Sequence, residues 1–294
     1  MIAWSKRFED KKKFKGYLRL LKARFKFYDY YLPRFSWKRG LYFEQRPGYQ
    51  QRITFLRNRH KDKRCFIICN GPSLADLDLS HLKNEITIGC NGIYKNFKDM
   101  GFFTKYLVYE DIEQTEIRGE EIHDIQGPLK LASINNGYAL KADKHTYFFN
   151  TPRFRNQLYY WEELYPQFSK DFASIVHLGS TVTYIMIQLA YHLGCNQIYL
   201  IGLDHDYGEL PKHFPPGKIT ITEENLELVQ QCHYSKDYYK VGDVIGVPYV
   251  EMQEKAYNLA AEAIHAEGRE IYNASSKTCL ESFPRTNYDE LFKK

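Results

Sequence analysis

Cys65-Phe66-Ile67-Ile68 runs directly into Cys69-Asn70-Gly71-Pro72-Ser73-Leu74, and the reading of this stretch decides the fold. Four apolar residues followed by Asn-Gly-Pro describe a buried strand that stops abruptly in a tight turn. Gly71 lets the backbone come close to a ligand, Pro72 stiffens the turn, and Ser73 can cap the helix or turn that follows. In an α/β sheet ligands sit just beyond the carboxyl end of such a strand, where free N–H groups favour anions. An ordinary strand-to-helix turn has the same local chemistry, so the residues downstream have to decide.

Downstream the pattern repeats. Glu85-Ile86-Thr87-Ile88-Gly89-Cys90 reads as a second strand ending at Asn91-Gly92, and Lys105-Tyr106-Leu107-Val108-Tyr109 as a third ending at Glu110-Asp111. Residues 128–132 and 146–149 are weaker strand candidates. Gly179-Ser180-Thr181 opens a helix that runs to about His192. Tyr184, Ile185, Ile187, Leu189 and Ala190 make it apolar nearly all round, as expected for a helix buried against a sheet. Gly194 closes it. Gln197-Ile198-Tyr199-Leu200-Ile201 is a further strand, ending at Gly202-Leu203-Asp204-His205-Asp206-Tyr207-Gly208. Residues 209–245 show no sustained period, and so long a loop reads as a lid or an active-site wall. Glu251 to Ala266 is an amphipathic helix, followed by a strand at Glu270-Ile271-Tyr272-Asn273. Strands alternating with helices predict an α/β fold with a mostly parallel sheet flanked by helices.

Charge divides the chain unevenly. The net charge is +5, but residues 1–64 carry 20 Lys and Arg against 5 Asp and Glu, and the remainder carries 21 against 31. This predicts a basic amino-terminal arm over residues 1–63 and a mildly acidic body over 64–294. Within the arm Phe14, Tyr17, Leu18, Leu21, Phe25 and Tyr28 follow helical spacing, with Lys15, Arg19, Lys22 and Lys26 on another face. Such a helix over residues 11–30 suits an anionic membrane surface, and equally suits packing on its own domain or on a second copy of the chain. Nucleic acid is not expected as a partner, because no basic track continues into the body. No run of 18 apolar residues and no signal-peptide core are present, which predicts a cytoplasmic protein, peripheral at the inner face of the membrane if the arm binds lipid. The six cysteines are scattered; Cys65, Cys69 and Cys90, in or at the ends of apolar runs, read as buried thiols, and no zinc site is expected.

If the strands are parallel, Asn70, Asn91, Glu110 with Asp111, Asp204 with His205, and Asn273 converge on one rim. Each alone is compatible with turn capping. Together they form a candidate site, to which Gly179, Ser180 and Thr181 add donors for a phosphate at a helix amino terminus.

The pattern N-G-P-S-L after the first strand, C-N after the second, G-S-T-V-T-Y on the buried helix and Y-L-I-G-L-D-H later resembles two related groups. One is the bacterial 6-hydroxymethylpterin diphosphokinase-like family. The other is the bacterial sialyltransferases that decorate lipooligosaccharide, whose Rossmann-like domain uses a CMP-activated sugar. The resemblance spans roughly residues 64–292 and excludes the arm. It implies that Asn70, with Gly71, Pro72 and Ser73 of its turn, and Asn91 contact the nucleotide, and that Ser180 or Thr181 lies near the donor phosphate.

Pterin kinases of this kind carry acidic residues at the strand ends to hold magnesium against ATP. Here Asn91 stands in such a place, and no Walker lysine is present, which favours sugar transfer. The implied reaction is an inverting displacement at the anomeric carbon of a CMP-linked nonulosonate, with a glycan or glycolipid as acceptor and no cofactor or metal. Magnesium enters only under the alternative of ATP-dependent pyrophosphate transfer. A non-catalytic nucleotide-binding module is the third reading. A lid His is the base in the sialyltransferases, and two Tyr hydroxyls face the phosphate. This chain offers His233, with Tyr207, Tyr238 and Tyr239 as candidate hydroxyls. Ser235 stands where a second lid His would align, so His205 or Asp204 is the alternative base.

Overall fold

The computed structural model describes residues 49–137, 139–140, 143–151, 166–235 and 238–293. Nine strands are present among them: β1 (Arg64–Ile68), β2 (Thr87–Cys90), β3 (Tyr106–Tyr109), β4 (Leu129–Ser133), β5 (Thr146–Phe149), β6 (Gln197–Ile201), β7 (Gly217–Thr220), β8 (Val244–Val247) and β9 (Glu270–Asn273). The helices are α1 (Tyr49–Thr54), α2 (Phe97–Met100), α3 (Ile112–Asp124), α4 (Val182–His192), α5 (Leu210–His213), α6 (Leu226–Gln230) and α7 (Val250–His265).

Seven strands form one sheet in the order β5-β4-β3-β2-β1-β6-β9, and every neighbouring pair is parallel. This is the Rossmann-like α/β arrangement that the alternating pattern predicts, with both weaker candidates present as β4 and β5. The chain winds outward from β1 through β5 and then returns to β6 on the other side of β1. The strand order therefore reverses between β1 and β6, and a crevice opens beyond their carboxyl ends.

The alternation of side chains assigns each strand to two cores. Cys65 and Ile67 of β1, Val108 of β3 and Ile198 and Leu200 of β6 face one layer, which α4 and α7 cover with Tyr184, Ile185, Leu189, Tyr257 and Ile264. Phe66, Ile68, Leu107 and Ile201 face the other, covered by Leu74, Leu82, Ile93 and Ile122. Buried on both faces, the strands read as continuous apolar runs.

Residues 49–63, assigned to the arm from charge, are packed onto this domain. Ile53 and Leu56 are fully buried, and the Asn58 N–H donates to the His192 carbonyl at the end of α4 at 2.9 Å. The apolar positions at 53 and 56 sit among seven Lys and Arg residues over 46–64, which hides them from a reading by charge. The basic helix expected at residues 11–30 lies outside the described residues. No helix among the described residues is long and apolar enough to cross a membrane.

The lid region is more ordered than a loop without a period implies. β7 and β8 pair antiparallel, Gly217 opposite Val247, and Leu210, Ile221, Val229, Tyr238, Tyr239 and Ile245 form a small core of their own. Strands of four residues are too short to show alternation, and their partners lie about 27 residues apart, so the pattern is not visible locally.

Candidate functional site

The turn after β1 is built by close approach to the turn after β6. The Gly71 N–H donates to the Gly202 carbonyl at 2.9 Å. A Cβ on Gly71 would stand 2.5 Å from that oxygen and 2.6 Å from the Asp204 carboxylate. Pro72 begins a short 3-10 turn, Pro72–Asp76, whose Ser73 N–H donates to Asp204 Oδ2 at 2.8 Å, while the Ser73 hydroxyl donates to Oδ1. Burial raises the pKa of Asp204, and the two bonds from Ser73 oppose that shift. Asp204 therefore joins the two strand ends, and both its oxygens are occupied.

Asn70 and Asn91 border the crevice from β1 and β2. The Asn70 Nδ2 donates to the Cys90 carbonyl at 3.3 Å, which ties the two strand ends together. Asn91 holds a φ of +46°, a left-handed conformation that Asn tolerates better than other non-glycine residues. It begins the 3-10 turn Asn91–Asn96.

From the opposite side α4 presents its amino terminus. Gly179 and Ser180 both have positive φ, +55° and +59°, and turn the chain so that Thr181 caps the helix, its hydroxyl accepting from the Thr183 N–H at 3.3 Å.

These elements enclose a cavity of about 160 Å³ lined by Asn70, Gly71, Asn91, Thr181, Asp204, His205, Tyr207 and His233, among others. A second cavity of about 440 Å³ lies on the far side of the Ser73–Asp204 contact and takes Pro72 and Ser73 in its wall. Asp204, Asp206 and Cys232 line both.

The two histidines differ. His233 is half-buried, and its Nδ1 lies 3.1 Å from the Val229 carbonyl. A carbonyl only accepts, so Nδ1 carries the proton and Nε2 keeps its lone pair. Burial lowers the pKa of His233, against the effect of that carbonyl. His205 is buried, with φ +51°, and its Nε2 approaches Glu254 Oε1 of α7 at 3.4 Å. Burial lowers its pKa too, while Glu254 raises it.

Other expected site residues have structural placements. Tyr238 and Tyr239 lie in the lid core, and the Tyr238 carbonyl accepts from buried Arg118, whose guanidinium also sits 4.9 Å from the Tyr238 ring centre. Tyr207 lines the cavity, but its hydroxyl donates to Gln253 at 2.7 Å. Of the 179–181 triplet only Thr181 lines either cavity. Asn273 is fully buried, and its amide bonds to the Leu203 carbonyl, Thr278 and the Ser275 N–H, bracing the turn before Asp204. Among the described residues no group of three His, Cys, Asp or Glu side chains could hold a metal ion.

Tyr257, Glu254 and Cys232 escaped the sequence reading. Tyr257 belongs to the apolar stripe of α7, and nothing in its neighbours marks it as facing a cavity rather than only the core.

The family model described as 6-hydroxymethylpterin diphosphokinase MptE-like matches residues 44–209. The chain belongs to this family. In this MptE-like chain the match takes in Asn70, Asn91, Thr181 and the 204–207 turn, and stops before the lid and His233. It also begins ahead of α1, consistent with the packing of residues 49–63 onto the domain. No curated protein matches the chain. One similar solved structure is the MAf glycosyltransferase from Magnetospirillum magneticum AMB-1, at 14% identity and a TM-score of 0.47. That similarity covers 83% of this chain and 38% of the other, so the chain spans well under half of that protein's length.

Proposed function

We propose that the protein is an inverting glycosyltransferase that uses a CMP-activated sugar, a sialic acid or related nonulosonate, to modify a glycan or glycolipid. The observation that carries this reading is the placement of His233. The Val229 carbonyl reserves Nδ1, and the basic Nε2 belongs to a ring lining the same cavity as Asn70, Asn91 and Thr181. A neutral imidazole beside a nucleotide crevice is equipped to take the proton of an acceptor hydroxyl. As the acceptor oxygen bonds to the anomeric carbon, the bond to phosphate breaks and CMP leaves with its electron pair. Asn70 and Asn91 hold the base and sugar of the nucleotide, and the amino end of α4 meets the phosphate. No metal is assigned a role, and the acceptor is placed near the membrane by the basic arm on the cytoplasmic side.

Incubation with a panel of CMP-, UDP- and GDP-sugars in EDTA tests the proposal. Release of CMP alone, lost in His233→Ala, is the expected result. Turnover only of ATP with magnesium and 6-hydroxymethylpterin would replace it with the pyrophosphate transfer that the family's description names. CMP binding without any release or transfer would leave a nucleotide-binding module.

A further inference from the structure

A phosphate entering the crevice meets few positive charges. Among the described residues that line it there is no Lys or Arg, and only His205 and His233 can become cationic. His233 already commits Nδ1 to Val229. His205 is differently placed. Its side chain is 1% exposed, Nε2 has only the 3.4 Å approach of Glu254, and Nδ1 has no hydrogen-bond partner. It stands edge-to-face between Tyr207 and Tyr257, with ring centres 5.6 and 5.9 Å away. Burying an imidazole nitrogen with no partner is costly. Its backbone is left-handed as well, a conformation that persists in a non-glycine residue where the surroundings impose it.

Two independent features thus point to an anion in one place. The amino terminus of α4, an 11-residue helix, borders the cavity through Thr181, Val182 and Thr183. The imidazole of His205, its Nδ1 without a partner, lines the same space.

We propose that His205, backed by Glu254, is the cation of the crevice and takes up a proton from solvent when the phosphate of a nucleotide binds against the amino end of α4. Glu254 Oε1, 3.4 Å from Nε2, is close enough to form a charge-assisted bond once the ring is protonated. Nδ1 is then left for a phosphate oxygen. Burial outweighs Glu254 and lowers the pKa of the ring, which favours its neutral form. The bound anion reverses that balance. The other titratable groups lining the cavity with His205 are Tyr257 of α7, Asp204, Asp206 and Tyr207 of its own turn, Cys69 just after β1, Cys90 of β2, and Cys232 and His233 of the lid. Asp204 is bonded to Ser73, and burial holds the Cys69 thiol protonated, its pKa raised to about 12. This assignment rests on the reading of the crevice as a nucleotide site and names the pair that meets the phosphate.

The test is calorimetry on the full chain with CMP, cytidine and inorganic phosphate, at neutral pH, in two buffers of different protonation enthalpy. Wild type is expected to take up protons on binding CMP, beyond the uptake of CMP's own phosphate. His205→Gln is expected to bind CMP about 10- to 100-fold more weakly, the worth of a charge-assisted bond, with cytidine affinity unchanged and the extra uptake gone. Glu254→Gln should reduce the uptake while keeping the fold. Unchanged CMP affinity in His205→Gln, or an equal loss for CMP and cytidine, overturns the assignment. If wild type prefers another nucleotide, the CMP reading fails, and the same comparison of that nucleotide with its nucleoside decides the role of His205. Binding of inorganic phosphate as tight as CMP, weakened by His205→Gln, supports the pair but removes base recognition. A wild-type chain that binds none of these ligands overturns both.

Discussion

The backbone N–H of Tyr234 donates to the carbonyl of Asn70 at 2.7 Å, so the lid segment carrying His233 is fastened to the turn that ends β1. A second fastening lies one strand away, where the Tyr238 ring covers Gly92 so closely that a Cβ there would fall 1.8 Å from Cε2. The candidate base and the candidate nucleotide contacts Asn70 and Asn91 are thereby held together, although more than 140 residues separate them in the chain.

Gly92→Ala is expected to push the Tyr238 ring out and loosen the lid while leaving the parallel sheet intact. Limited proteolysis should then cut within residues 209–245 faster than in wild type. An unchanged cleavage pattern would show that the ring contact is not a latch.

Asn70→Ala should weaken CMP binding by about 1–3 kcal/mol, the cost of leaving buried polar partners unpaired. For Asn91 the informative variant is Asn91→Gly, which keeps the left-handed backbone and removes only the amide. Calorimetry giving wild-type affinity for both would take them out of the site.

His233→Ala should lower the transfer rate by roughly 10²- to 10⁴-fold with CMP affinity retained. Because burial lowers the pKa of His233, the base form persists below the ordinary histidine value. The acid limb of the rate against pH should therefore fall below about 6.5, the unperturbed value. A limb at or above that value would point to another base.

Asp204→Ala should act through stability. It strips the Ser73 N–H and hydroxyl of their acceptor, and charge-assisted bonds of this kind are worth about 1.5–3 kcal/mol each. A lowered thermal midpoint with loss of nucleotide binding is expected. Full stability with only the chemical step lost would instead assign Asp204 to catalysis.

His60 makes the fold sensitive to acid. Its pKa is lowered to about 4, mainly by burial and further by Lys105 and Arg59, and Nε2 lies 2.8 Å from the Tyr106 hydroxyl. A folded value below the unfolded value means that the unfolded chain binds the proton more readily. This contribution is complete above about 6.5 and is lost as pH falls towards about 4. Thermal midpoints across that window should decline, and His60→Gln should flatten the decline.

The rim of the site was legible because its residues terminate strands. Asn70, Asn91 and Asp204 each follow an apolar run that cannot continue, and parallel pairing brings such ends together. The roles of Tyr238 and Tyr239 were not legible, because an aromatic residue in a loop carries the same local signal whether it faces ligand or packs in a core. The lid hairpin and the buried residues of α1 were missed for a related reason. Their partners lie far along the chain, and charge or short length masks the local pattern.

What the sequence by itself determined is the layered architecture and the line of strand ends, since both follow from periodicity and turn chemistry within windows of about ten residues. Only the tertiary structure decided which of those ends border the crevice and which brace the fold. Asp204 and Asn273 look alike until Ser73 and Ser275 are seen bonded to them, with Asp204 at the crevice and Asn273 fully buried. His205 looks like one polar residue among many until its ring is found buried beside Glu254. Hydrogen bonds between distant segments consume or spare a polar group, and no local window contains both partners.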